Sequence, residues 1–209
     1  LGFHKEHLRF KDHDKLAHYA KSACDIQYLF PMGWNELNGI HNRTTFDLMQ
    51  HQTYSGKNMF YTDAITNEKY IPYVIEYSIG ADRLMLAVLC ESYYEEVLEG
   101  GDIRTVLKLH PALAAYKVAI LPLQKNLADK AKEVYKKLAK EFMVTYDDAG
   151  SIGKRYRRQD EIGTPFCVTI DFDSLENNTV TVRDRDSMAQ IRLDIDALSA
   201  YITKSLILK

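Results

Sequence analysis

Residues 70–84 read Tyr-Ile-Pro-Tyr-Val-Ile-Glu-Tyr-Ser-Ile-Gly-Ala-Asp-Arg-Leu, and two periodicities meet within them. Ile71 to Ser78 alternates as a strand does, which sets Val74, Glu76 and Ser78 on one face and Ile71, Tyr73, Ile75 and Tyr77 on the other. Gly80 ends the strand, and Ala81 to Tyr94 has the apolar spacing of a helix. The stretch therefore predicts strand, tight turn and helix, with a carboxylate and a hydroxyl side by side. An unpaired buried carboxylate is costly, so Glu76 needs a cation partner. Arg83 also stands out. A cation in the first turn of a helix opposes its dipole by roughly 0.3–1 kcal/mol, and a bound polyphosphate reverses that sign. The plain alternative pairs Arg83 with Asp82 or another acid and leaves Glu76 facing water at a sheet edge.

The form Val-Ile-Glu-x-Ser-x-Gly-x-x-Arg at residues 74–83 resembles motif 3 of class II aminoacyl-tRNA synthetases, in the version found in glycyl-tRNA synthetases. The resemblance implies that Glu76 and Ser78 hold glycine, the carboxylate gripping its ammonium group, with Tyr77, Ile79 and Gly80 in the same substrate site. It implies that ATP lies along Gly80, Ala81, Asp82 and Arg83, and that Arg83 is the catalytic arginine on the nucleotide. Tyr77 departs from the proline or threonine expected of the family.

Upstream, residues 33–51 read Gly-Trp-Asn-Glu-Leu-Asn-Gly-Ile-His-Asn-Arg-Thr-Thr-Phe-Asp-Leu-Met-Gln-His. Glu36, Arg43 and Asp47 sit among Trp34, Leu37, Ile40 and Phe46, which by spacing alone suggests a partly buried charge network, structural or catalytic. This run is similar to the glycyl-synthetase pattern as well. By that resemblance Glu36 and Leu37 contact ATP, Glu36 is a catalytic acid that holds Mg2+ between phosphates, and Arg43 orders the site. Asp47 and His51 are left as supporting residues.

Downstream, the order reads strand (117–123), helix (126–142), strand (144–147), helix (151–161) and strand (166–171), then a hairpin (179–185 with 189–193) and a last helix (195–207). That alternation predicts an α/β layer with a mixed sheet. Ser151 is a candidate helix cap. Lys154, Arg155, Arg157 and Arg158 surround Tyr156, a basic patch with an aromatic inside it, which suits single-stranded RNA. The plain alternative is a solvated helix face balanced by Asp160 and Glu161. The run from Asp147 to Pro165 resembles the anticodon-binding domain of the glycyl, threonyl, prolyl and histidyl synthetases, which makes those four basic residues tRNA-binding candidates.

The expected fold class is α/β (α+β): the end of a class II synthetase antiparallel-sheet catalytic domain over 1–113, then a mixed-sheet α/β anticodon-binding domain over 114–209. Residues 1–113 carry 11 Lys+Arg against 15 Asp+Glu and the remainder 16 against 14, so an RNA surface is expected as a local patch on the second half. The net charge of −2 argues against a general nucleic-acid coat. No apolar run is long enough to span a membrane. Cys24, Cys90 and Cys167 lack metal or redox spacing, as free thiols in a reducing compartment would. Residues 14–29 are expected to form a helix through Leu16, Tyr19, Ala20, Ala23 and Cys24. The spacing of His4, His7, His13 and His18 is not expected to bring two metal ligands together with a third.

The resemblance implies a glycine–tRNA ligase that uses ATP and Mg2+, takes glycine and tRNA(Gly), and works as a cytoplasmic homodimer. Motifs 1 and 2 of the class are not found in these residues, so the chain is expected to be a fragment, cut from something longer. Two other readings stand beside it. One is a non-catalytic relative that binds nucleic acid, such as the accessory subunit of mitochondrial DNA polymerase, and the other is a free-standing tRNA-binding module.

Overall fold

The computed structural model describes residues 2–207, and these divide into two compact units, Phe3–Glu91 and a second that begins at Ser92. The first unit opens with a 3-10 turn, Lys5–His7. It continues with β1 (Leu8–Asp12), β2 (Ser22–Phe30), β3 (Gly33–Asn42), α1 (Phe46–Ser55), β4 (Tyr61–Thr62), β5 (Lys69–Tyr70), β6 (Ile75–Ile79) and α2 (Ala81–Ser92). Four strands form an antiparallel sheet in the order β1-β2-β3-β6. Leu84, Ala87 and Cys90 of α2 pack with Tyr28, Phe30 and Leu37 of the sheet.

The helix expected over 14–29 is not there. Residues from Ser22 onward are β2, flanked on both sides by paired strands. Ala23, Asp25 and Gln27 are buried at a spacing of two, so sheet pairing overrides a helical spacing that was only locally plausible. The pairing of β2 with β3 shifts between Ile26 and Gln27, which face Asn38 and Glu36 and leave Leu37 without a direct partner. Such a bulge bends a strand and re-aims its side chains. Here it turns Leu37 into the core while Glu36 stays exposed.

The second unit begins with a hairpin, β7 (Tyr93–Val97) and β8 (Ile103–Leu107). Its turn uses Gly100 and Gly101 at φ of 100° and 85°, where a side chain would be strained. β9 (Val118–Pro122), α3 (Ala128–Leu138), β10 (Val144–Tyr146), α4 (Ile152–Glu161), β11 (Phe166–Ile170), α5 (Asp173–Asn177), β12 (Thr179–Asp184), β13 (Gln190–Asp194) and α6 (Leu198–Ser205) follow. The sheet order is β10-β9-β11-β12-β13. β9 runs parallel to β10 and β11, while β11, β12 and β13 pair antiparallel.

Every residue of β9 and β11 is buried, as expected of strands covered on both faces. Val118, Ile120, Val168 and Ile170 point toward Ala131, Val134 and Leu138 of α3 and Leu198 and Ile202 of α6. The alternate residues Ala119, Leu121 and Cys167 meet Ile152 and Tyr156 of α4. Helices thus cover opposite faces of one mixed sheet, the architecture the second-half pattern predicts.

Residues 93–107, expected within the first domain over 1–113, form the hairpin of β7 and β8 and lie in this second unit. Arg104 of β8 is the reason. Its buried guanidinium bonds to Asp160 of α4 at 2.9 Å and to Glu96 of β7 at 2.7 Å, and it also donates to the carbonyl of Arg185. Asp160, itself fully buried, accepts two further bonds from Arg183.

Candidate functional site

The strand, turn and helix expected around residues 70–84 are present as β6, Gly80 and α2, although regular pairing starts only at Ile75. β6 is an edge strand, paired on one side with β3. Opposite residues on paired strands project to one face. The register sets Glu76 against His41 and Ser78 against Gly39, so that face carries a carboxylate, an imidazole, a hydroxyl and a gap left by glycine. A Cβ at Gly39 would meet His41 Cε1 at 3.0 Å and Ser78 Oγ at 3.6 Å.

The cation that Glu76 needs is Arg43. Arg43 Nη1 donates to Glu76 Oε2 at 2.6 Å, and Nε and Nη2 fork onto the two oxygens of Asp47 at 2.6 and 2.8 Å. The guanidinium lies 4.0 Å from the centre of the Tyr19 ring. Hydrogen bonds from Arg43, against a smaller opposing effect of burial, lower the pKa of Asp47. The same bonds, first to Asp47 and then to Glu76, raise that of Arg43. Among the described residues Glu76 Oε1 has no hydrogen-bond partner. One guanidinium faces two carboxylates, so the cluster keeps one net negative charge and one free oxygen.

Arg83 sits in the first turn of α2, half-exposed, and its partner is Glu36 rather than Asp82. Arg83 Nη1 donates to the Glu36 carbonyl at 2.9 Å and lies 3.8 Å from Glu36 Oε2. Phe30, Met32, Asn35, Arg83 and Leu86 line an open cleft beside this pair. Gly80, Ala81 and Asp82 are exposed at the helix start, as are Tyr77, Ser78 and Ile79 on β6. Leu37 is different. Its side chain is 6% exposed and packed in the core, so only its backbone is open to a nucleotide.

Three residues of this site carried no signal by type. Asn38 donates through Nδ2 to the Ser78 carbonyl at 2.8 Å and fixes the end of β6. Its Oδ1 and the Nδ1 of His41 are buried without hydrogen-bond partners among the described residues. Tyr19 stacks on Arg43 from a segment with no regular structure. Only the β3-β6 register could have revealed Asn38 and His41, while Tyr19 reaches the site from outside any strand.

In the second unit the basic patch on α4 comes apart. Arg155, a tRNA-binding candidate by sequence, is buried, and its guanidinium donates to the carbonyls of Gly150 and Pro122 at 2.7 and 2.5 Å. It closes the loop before α4 onto the end of β9 and is not available to RNA. Tyr156 is no stacking platform either: its hydroxyl meets Thr169 Oγ1 at 2.7 Å and its ring lies under Arg183. Arg157 donates to the Ile103 carbonyl at 2.9 Å, and Arg158 to Asp147 at 2.6 Å. Lys154 is exposed, with no ion-pair partner among the described residues. Asp160 is no solvated balancing charge, since it lies wholly inside. Ser151 occupies the cap position, yet its side chain makes no capping bond.

At the other end of the chain the spacing argument about histidines fails. His4 and His7 both turn Nδ1 toward Glu91 in the last turn of α2. Burial would raise the Glu91 carboxyl, but hydrogen bonds from Tyr28, the His4 backbone, His7 and His4 outweigh it and hold the group at about 2. Cys24, Cys90 and Cys167 are free thiols, and burial pushes Cys167 up to about 12.

No helix among the described residues is long and apolar enough to cross a membrane. Residues 117–205 match the anticodon binding domain family. The chain is 59% identical over 208 residues to a glycine–tRNA ligase of Clostridium kluyveri, covering 99% of this chain and 45% of that protein. With the glycine–tRNA ligase of Clostridium tetani it shares 62% over 206 residues, 98% of this chain and 44% of the relative. With that of Geobacillus thermodenitrificans it shares 57% over 208 residues, 99% and 45%. Among solved structures, the RNA binding domain of threonyl-tRNA synthetase from Cryptosporidium parvum Iowa II aligns with a TM-score of 0.67. That alignment covers 90% of this chain and 44% of the other at 20% identity, a likeness of fold alone. Residues 117–205 are thus similar to an anticodon binding domain, and nearly the whole chain is similar to part of glycine–tRNA ligases, spanning just under half the length of the relatives it matches.

Proposed function

We propose that this chain supplies the glycine-gripping and ATP-holding end of a glycine–tRNA ligase, together with its anticodon-binding part. The catalytic share is the unit Phe3–Glu91, and the anticodon share is the mixed-sheet unit that contains residues 117–205. In the reaction, a glycine carboxylate oxygen bonds to the α-phosphorus of ATP and pyrophosphate leaves. The terminal ribose hydroxyl of tRNA(Gly) then attacks the glycyl carbonyl carbon and AMP leaves.

The observation that carries this reading is the Arg43–Asp47–Glu76 cluster. Arg43 fixes one oxygen of Glu76, and the other is free to accept from an ammonium group, with a net negative charge beside it. Ser78 lies two residues along the same face, and Tyr77 and Ile79 project from the opposite one, which leaves the departure at Tyr77 outside the pocket. Arg83 and the start of α2 at Gly80, Ala81 and Asp82 provide a guanidinium and backbone N–H groups for phosphates. Glu36 offers an exposed carboxylate, a hard oxygen donor suited to the Mg2+ that neutralises phosphate charge when ATP is bound. Catalysis then rests on positioning and on charge neutralisation.

A cytoplasmic homodimer belongs to the same reading and rests on the resemblance alone. The presence together of Glu36, Arg43, Glu76, Ser78 and Arg83 argues against a non-catalytic relative. Glu76→Gln keeps shape but removes charge. In the whole protein it should raise the glycine KM at least about tenfold with a much smaller change in the ATP KM. Equal KM values for wild type and variant would remove Glu76 from the glycine site.

A further inference from the structure

The first unit holds a second cluster of ligating side chains that the proposed reaction does not use. His4 Nδ1 lies 2.5 Å from Glu91 Oε1, and His7 Nδ1 lies 2.9 Å from Glu91 Oε2. All three ligand atoms fall within 4.8 Å of one another. The two histidines bracket the 3-10 turn Lys5–His7, with His4 as its N-cap. Side chains three apart eclipse in such a turn, which brings the rings together on one side, edge to face, with their centroids 5.5 Å apart.

We propose that His4, His7 and Glu91 form a zinc site that fastens the turn before β1 to the last turn of α2. Two imidazole nitrogens and one carboxylate are a donor set that zinc accepts, with water completing a tetrahedron. Magnesium and calcium prefer all-oxygen surroundings, so the nitrogens disfavour them. The carboxylate is already aimed: Tyr28 donates its hydroxyl to Glu91 Oε2 at 2.6 Å, and the His4 backbone N–H donates to Oε1 at 2.6 Å. Supporting bonds of this kind orient ligands in established metal sites. Both imidazoles are partly exposed, 48% and 39%, which leaves the outer side open to water and to metal entry.

Donors around zinc stand about 3.3 Å apart, given bond lengths of about 2.0–2.1 Å. Measured from the Glu91 oxygens at 2.5 and 2.9 Å, the rings need to withdraw by less than about 1 Å, a movement that partly exposed side chains permit. Any hydrogen on Nδ1 passes to solvent as the metal bond forms.

The test is a titration of the chelator-treated whole protein with Co2+, followed by displacement with Zn2+. One equivalent per chain should bind, with the visible absorption of four-coordinate Co2+. His4→Gln and His7→Gln should each weaken Zn2+ binding at least about tenfold. Both substitutions lie at the surface, and unchanged circular dichroism would show that the fold survives them. Absence of one-equivalent binding, or binding equally tight in both variants, overturns the site. Glycine activation is measured separately and does not depend on the outcome.

Discussion

Arg43 decides how the polar face of the first unit behaves. A single guanidinium meets Asp47 with a two-pronged fork and Glu76 with a third bond, while its flat face rests on Tyr19. Its role follows from shape as much as charge, because a lysine ammonium cannot reproduce the fork or the stacking. Arg43→Lys should therefore leave the chain folded but let Glu76 turn, raising the glycine KM several-fold while tRNA binding stays at the wild-type level. An unchanged glycine KM would mean that charge alone positions the carboxylate. The sequence made Arg43 and Glu76 conspicuous as charged residues among apolar ones. It could not pair them, because they lie 33 residues apart and meet only through the register of β3 with β6. His4 and His7 are the stronger case, since their shared partner is 84 or more residues away.

At the level of elements, what was legible was whatever a local period determines. β6 with α2, and the alternation from β9 to α6, were readable because each strand or helix there repeats its own pattern over a full element. β2 was misread because Leu16, Tyr19, Ala20 and Ala23 imitate a helical stripe, and only pairing with β1 and β3 fixes the chain as a strand. The hairpin of β7 and β8 was overlooked although Gly100-Gly101 between two runs rich in β-formers is a turn signal. α4 was the subtlest. Its sequence looks like a solvated face, yet Arg155, Gln159 and Asp160 are its buried residues, each committed to partners in the fold. Charge runs do not show which members are spoken for. Lys154 is the member whose ammonium has no ion-pair partner among the described residues, so Lys154→Glu should weaken tRNA(Gly) binding without lowering the melting temperature. It should also reduce the salt dependence of binding by about one counterion. Binding that keeps its affinity and salt slope would take the RNA surface away from this part of α4.

For the molecule as a whole, acid sensitivity is one consequence of how the second unit is tied. Asp171, at the end of β11, accepts two bonds from Arg192 of β13 at 2.7 and 2.9 Å. Those bonds, against burial and with help from Ser174, hold its carboxyl at about 2. An unfolded aspartate titrates near about 3.9. The folded form is the stronger acid, so this contribution is complete above about pH 4 and is lost as pH falls toward about 2. Melting temperatures measured across that window should fall with acid in the wild type and fall less steeply in Asp171→Asn. Parallel slopes would show that other carboxylates dominate.

Under the proposed function, the two units with different sheets, one antiparallel and one mixed, divide small substrates from RNA. The most direct measurement is ATP–pyrophosphate exchange by the whole protein with glycine, alanine or serine as the amino acid. Exchange with glycine and not with the other two is the predicted result. A well-folded whole protein that exchanges with none of the three, or equally with all, would contradict the assignment of the Glu76 face to glycine.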